Sequence, residues 1–447
     1  MNARVLRFTA FGLAVLLAGC QLVPRKPEPV VEEPPPPPPI QEPIATHTFW
    51  FDPETDDVVG ELQVTRVQGE DTFSDIARRF NLGYEEIVRA NPGVDPWLPG
   101  EGREIVLPTQ FVLPQAPREG IVINLAQLRA YYFPKRKEGE LQKVITHPIG
   151  IGRVGWSTPE GTTKVTAKAK NPTWYPPASV RKEHAEAGDP LPAVVPPGPD
   201  NPLGTHMLKL GWPSYLIHGT NKPYGVGMRV SHGCIRMYPE DIATLFDLVP
   251  VGTKVTVVNQ PFVFGWHKGA LYVQAFPALE DDEREHPQAA EALLNAAISD
   301  AMWQKVKEHN ATIDLELIDK VVQQPRGIAM PVSQPKLTLD KYVYMARHVE
   351  NRLPEGATWD GKEELWVSAE EFEARRTGSA KPADKKPAAK TAQKPAASAP
   401  AKASGSTAPQ QAPKATPSAA PTQSASKPVA TTVDASGATN AMPTGSR

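Results

Sequence analysis

"VSHGCIRMYP", Val230 to Pro239, is the stretch on which the reading of the whole chain turns. Cys234 within it is one of only two cysteines among 447 residues; the other, Cys20, lies in "LLAGCQ". His232, Gly233 and Arg236 surround this thiol, and a second histidine, His218 in "LIHGT", precedes it by sixteen residues. The thiolate is the nucleophile and the thiol is not, so a catalytic cysteine needs an imidazole or another positive group nearby. This stretch supplies two histidines and an arginine. Gly233 lets the backbone turn tightly, which would aim the amides of Gly233 and Cys234 at one point and form an oxyanion hole. Either histidine taken alone reads as a hydrogen-bonded structural residue; taken together with the cysteine, glycine and arginine, they favour nucleophilic chemistry.

Outward from that stretch, residues 119–259 consist of short β-rich runs separated by Pro and Gly: "IVINLAQLRAYYF", "KVITHPIGIG", "TTKVTAKAKNP", "SYLIHGT" and "TKVTVV". Runs at that spacing predict a sheet-dominated domain. One helix is expected just after the cysteine, in "PEDIATLFDLV", where Ile242, Leu245, Phe246 and Val249 form an apolar stripe. Residues 260–375 read as an α+β extension with an amphipathic helix near 289–306 and no visible chemistry.

The chain ends differ in texture from this middle. Fifty prolines against 32 glycines keep much of the sequence out of any core. Arg4 and Arg7 precede an apolar run, Phe8 to Ala18, that is too short to span a bilayer and reads as a secretory signal. "Leu17-Ala18-Gly19-Cys20" resembles the lipobox of bacterial lipoproteins, which implies cleavage and acylation at Cys20, and Gln21 after it implies the periplasmic face of the outer membrane. Residues 21–45 are a proline-rich spacer that would extend roughly 75 Å as polyproline II. Residues 377–447, rich in Ala, Pro, Lys, Ser and Thr, are expected to be disordered. With Cys20 lipidated, Cys234 has no disulfide partner in an oxidising compartment.

Between Gln63 and Pro108 a short strand, two helices broken at "NPG" and a closing strand are predicted, with Asp71 or Thr72 capping the first helix and Phe73, Ile76, Ala77 and Phe80 on its apolar face. This βααβ unit, residues 62–109, resembles the LysM module through Gly69-Glu70-Asp71-Thr72, Ile76-Ala77, Asn91 and the Leu98-Pro99-Gly100 to Leu107-Pro108 ending. The resemblance implies binding to N-acetylglucosamine-containing glycan.

Three other readings fall away. "GIGRVG", Gly150 to Gly155, has the G-x-G-x-x-G spacing but is followed by "WSTPEGTT", where Pro159 and Gly161 prevent the helix a dinucleotide site requires. His206, His218, His232 and Cys234 offer only one close pair, unlike the spacing of zinc sites. A net charge of −2 gives no field for nucleic acid.

The segment from His218 through Ser231, His232, Gly233, Cys234 and Arg236 resembles the signature of the L,D-transpeptidase family (YkuD/ErfK type), and the likeness extends over about 119–258. It implies a mainly β catalytic domain of the YkuD β-sandwich type, here beside the small βααβ LysM domain and the α+β extension. It further implies that Cys234 is the nucleophile, that His218 accepts and returns its proton, and that the Gly219 carbonyl orients His218. His232 would stand beside the thiolate, and Arg236 would position the site or a substrate carboxylate. No cofactor or metal is implied. The expected partners are peptidoglycan stems and strands and a membrane reached through Cys20. The acyl acceptor is open between the lysine of an outer-membrane lipoprotein, a diaminopimelate side chain and water, the last making a hydrolase on the same fold. A non-catalytic peptidoglycan-binding lipoprotein is the alternative from a different class.

Overall fold

The computed structural model of the chain describes residues 39–43, 46–286, 300–334, 336–363 and 368–376. The signal segment with Cys20, most of the spacer and the tail 377–447 lie outside the described residues.

Nine strands form one sheet in the order Thr48–Phe51, Gln142–Pro148, Arg129–Phe133, Gly120–Asn124, Lys254–Val258, Gly161–Lys170, His206–Leu210, Leu216–His218, Ile235–Arg236. Successive side chains on a strand point to opposite faces, and in strands such as Gly120–Asn124 and Arg129–Phe133 both faces are buried. Ile121, Ile123, Ile217 and Ile235 join a core closed by the helix Pro239–Leu248 through Ile242 and Leu245. Val122, Tyr131 and Phe133 point the other way and join a core built largely from the LysM segment.

That segment forms as its pattern predicts: strand Gln63–Arg66, helix α1 (Phe73–Arg79), helix α2 (Tyr84–Ala90) and strand Glu104–Leu107. Thr72 is the cap of α1, in a reciprocal capping box with Asp75. Asp71 pairs instead with Arg79. The Asn91 side chain closes α2, donating to the carbonyls of Ile87 and Val106 and accepting from the Val106 amide.

The extension is threaded through the rest. A hairpin, Phe262–His267 with Ala270–Ala275, takes Met330–Pro331 as a third strand, and Arg347–His348 runs parallel to Gln63–Val64 at the edge of the LysM sheet. Of the helix expected near 289–306, the described part runs from Asp300 to Glu308. The segment before the LysM unit, Thr48–Phe51, forms the outer strand of the nine-stranded sheet, against Gln142–Ile145.

Candidate active site

His218 and Cys234 come together because Leu216–His218 and Ile235–Arg236 lie parallel and adjacent, with Ile217 opposite Ile235 and His218 opposite Arg236. Parallel neighbours cannot be joined by a tight turn and need a crossover of a dozen or more residues. Residues 219–234 are that crossover, which is the physical reason for the sixteen-residue spacing.

His218 is buried, and its Nδ1 lies 2.6 Å from the Gly219 carbonyl oxygen. A carbonyl can only accept, so Nδ1 carries the proton and Nε2 presents a lone pair. Burial, and then the Arg236 charge, hold the pKa of His218 down to about 3, outweighing the upward pull of the Gly219 hydrogen bond. The ring is therefore a neutral base near pH 7.

Cys234 is half-buried, with its Sγ directed at the Ser214 carbonyl at 3.5 Å. Burial pushes the thiol pKa up, and the Leu216 backbone amide and the Arg236 guanidinium pull against it. The resting groups are thus a neutral thiol and a neutral imidazole carried on neighbouring parallel strands. Arg236 leaves its buried Nε without a hydrogen-bond partner among the described residues. An arginine stays charged even when buried, so this cation favours the thiolate and opposes premature charging of His218.

Ser231 pins the turn: its Oγ donates to the Cys234 carbonyl at 2.6 Å and accepts the Gly233 amide at 3.2 Å. This corrects the expected oxyanion hole, because the Gly233 N–H is already engaged and only the Cys234 amide remains of that pair. Gly233 itself has φ +96°, and a Cβ there would stand 2.9 Å from the Tyr215 ring. Thr158 bridges two glycine segments, with its Oγ1 donating to the Gly233 carbonyl and accepting the Gly152 amide. Gly152 lies so close to the Trp156 carbonyl that a Cβ would stand 1.9 Å from that oxygen. The "GIGRVG" glycines thus serve close backbone packing and a turn, with Ile151–Gly152 paired to Arg229–Ser231.

His232 contacts Glu183, Arg153 and Trp156 through its ring. Its Nε2 is 3.1 Å from Glu183 on helix α3 (Ala178–Glu186), and its ring meets the edge of Trp156 at 4.8 Å. Arg153 also pairs with Glu183. Burial lowers the pKa of His232 and the Glu183 charge opposes this. His206 turns away onto the Phe246 ring.

Four residues here escaped the sequence reading. Glu183 lies 51 residues before Cys234 in a proline-rich stretch with no motif. Thr158 gave no signal beyond its place in the glycine-rich segment. Ser214 adopts φ +69°, rare for a residue other than glycine, and this is invisible in "GWPSYL". Asp281, from the extension, accepts hydrogen bonds from Ser157 and Arg229 at 2.6 Å each.

Comparison with known proteins agrees with this geometry. The L,D-transpeptidase catalytic domain (YkuD) matches residues 118–257, and the LysM domain matches residues 65–108. The chain is 39% identical over 302 residues to the probable L,D-transpeptidase YcfS of Escherichia coli K12, covering 66% of this chain and 91% of that one. It is 44% identical over 285 residues to the probable L,D-transpeptidase ErfK/SrfK of Salmonella typhimurium, covering 63% of this chain and 89% of that one. It is 47% identical over 207 residues to the probable L,D-transpeptidase YbiS of Escherichia coli K12, covering 46% of this chain and 66% of that one. With the paired histidine and cysteine strands in place and near full-length relatives of that kind, the chain belongs to the L,D-transpeptidase family and is an enzyme of that class.

Proposed function

We propose that Cys234 attacks the carbonyl of the third residue of a peptidoglycan tetrapeptide stem. His218 Nε2 takes the thiol proton and returns it to the leaving amine, so that D-alanine departs and an acyl thioester remains. An incoming amine then attacks the thioester, gives its proton to His218, and leaves with the acyl group in an amide bond as the thiol reforms. The observation that carries this reading is the 2.6 Å bond between His218 Nδ1 and the Gly219 carbonyl, on the strand next to the one that Cys234 precedes, since it leaves Nε2 as the acceptor. Arg236 offsets the negative charge on sulfur, and the Cys234 amide supports the developing oxyanion.

The acceptor amine that best fits the sequence is the lysine of an outer-membrane lipoprotein, with a diaminopimelate side chain, giving a 3→3 cross-link, as the competing choice. A lipid at Cys20 and a spacer of roughly 75 Å when extended confine enzyme and lipoprotein to one layer of the envelope of a Gram-negative cell, which raises their effective concentration. The LysM module holds the enzyme on glycan. Mass spectrometry of muropeptides from cells with and without the gene tests the acceptor. Loss of lipoprotein-bound muropeptides is expected; loss of 3→3 dimers alone would overturn the lipoprotein reading. Cys20→Ser is expected to release the protein from membranes, and an unreleased variant would overturn the anchor.

A further inference from the structure

We propose that the LysM module, with the helix Ala369–Arg376 behind it, is a positioning element of the catalytic site: it holds the crossover 219–234 and thereby sets Cys234 against His218. This goes beyond a glycan tether, for which any flexible attachment would serve.

A crossover between parallel strands is ordinarily a helix packed on the sheet. Here it is almost all irregular, containing only the short turn Pro223–Gly225 and the strand Arg229–Ser231. Irregular backbone needs its polar groups and apolar side chains covered by something else. The LysM module provides that cover. Tyr224 and Met228 are buried in the same core as Phe73, Ile76, Tyr84 and Ile87, and Val230, four residues before Cys234, packs against it. The carbonyls of Val226 and Gly227 accept the amides of Tyr84 and Glu85, the first residues of α2. Phe372 of the last helix stacks edge-on against Tyr84 and Trp97, each at 4.9 Å, and lies 5.9 Å from the Tyr224 ring.

The contact point is a pair of glycines. A Cβ on Gly83 would stand 2.5 Å from the Gly227 Cα, and one on Gly227 would stand 2.2 Å from the Gly83 Cα. Beside it, Glu86 joins module and sheet: its Oε2 accepts the Gly83 amide, and both of its oxygens receive the wholly buried Arg129 guanidinium at 2.8 Å. Arg129 also donates to the Asn81 carbonyl. On the flank, Tyr238, four residues after Cys234, donates to the Leu82 carbonyl at 3.0 Å. The segment carrying the nucleophile is thus gripped by the module both before and after Cys234.

Gly83 is the clean place to test this, because its φ of −87° and ψ of 158° suit any residue. An alanine there leaves the module's own backbone unstrained; its Cβ would press chiefly on the Gly227 Cα of the crossover at 2.5 Å and more lightly on Pro148 of the catalytic sheet at 3.3 Å. With the full-length protein and a soluble disaccharide-tetrapeptide, Gly83→Ala is expected to lower kcat about tenfold or more with KM within about twofold, since small misplacements of reacting groups are costly. The rate of Cys234 alkylation by iodoacetamide is expected to change with it. Ile318→Val, in the separate core of the extension, lowers the melting temperature away from the crossover and should retain wild-type kcat. Phe372→Ala serves as the second probe if Gly83→Ala fails to fold. Unchanged kcat and alkylation in Gly83→Ala or Phe372→Ala, or an equal kcat loss in Ile318→Val, would overturn the proposal. Alkylation needs no peptidoglycan substrate, so a failure of the transpeptidase chemistry would show separately as wild-type alkylation without turnover.

Discussion

The floor and the cap of the active site differ in how they are built. The floor, made of the strands Leu216–His218 and Ile235–Arg236 and the crossover between them, is buried from Tyr224 to Met228 and bonded on both sides. The cap, residues 171–205, is mostly exposed; in α3 only Val180 is buried, and Tyr175 stands in solvent. His218 belongs to the floor and has one fixed backbone partner. His232 belongs to the cap side and is held by half-exposed charges, Glu183 and Arg153, which also pair with each other. The difference favours His218 over His232 for the proton transfer proposed above. Enclosure makes His218 a neutral base with a fixed tautomer, whereas His232 is tied to a segment with few buried contacts of its own.

The comparison is broken most severely at the floor. Cys234→Ala or His218→Ala is expected to lower turnover by about 10³-fold or more, and the double variant by little beyond either single one, because nucleophile and base act as a unit. Steady-state release of D-alanine measures this. A rate in His218→Ala near wild type would move the base role to His232 and erase the distinction.

Gly233→Ala comes next. The residue sits at φ +96° with the Tyr215 ring 2.9 Å from any Cβ, so the turn must shift. Displacement of a reacting group by about 1 Å costs on the order of 10² in rate, and kcat should fall by about that factor. Gly155→Ala, also at positive φ but with open space around its Cβ, is expected to lose far less.

The enclosure of His218 also has a thermodynamic signature. Its folded pKa of about 3 lies below the ordinary histidine value of 6.5, so the unfolded chain binds a proton that the folded chain refuses. The associated stability is therefore present above 6.5 and lost as pH falls toward 3, by about 1.4 kcal/mol per unit. Melting curves from pH 7 to 4 should fall more steeply for wild type than for His218→Gln. Equal slopes would mean the ring is not enclosed. In the same range Cys234 alkylation stays slow, and it should still be rising at pH 9.0, because burial holds the thiol above that ordinary value.

The smallest effect is expected at the cap. Glu183→Gln removes a half-exposed ion pair, and such pairs are worth about 0.2–1 kcal/mol. Activity should fall no more than about fivefold, with the melting temperature unchanged. A loss as large as that of His218→Ala would show that the cap side takes part in the chemistry as deeply as the floor.

Several elements were legible in the sequence because their causes are local. The LysM helices follow from apolar spacing and a capping residue, and helix Pro239–Leu248 follows from one stripe of four apolar positions. The candidate pair stood out because residue types carry chemistry wherever they are placed: a lone thiol with a histidine, a glycine and an arginine nearby. The Ser231 bond to the Gly233 amide was not legible, since two neighbouring polar groups give no sign of which partner each will choose. The 46–61 segment carried no expectation and supplies the outer strand of the catalytic sheet, because edge pairing depends on what the fold brings alongside.

The sequence by itself therefore determined the enzyme class, the two domain types and the order of their elements, since these rest on residue identity and periodicity along the chain. Only the tertiary structure decided that the module and the catalytic sheet share one core, that Glu183 reaches His232 from 49 residues away, and that Gly83 meets Gly227 across 144. These depend on complementary surfaces meeting in space. A strand buried on both faces says only that something covers each face, and the identity of the cover is set by packing between segments distant in the chain.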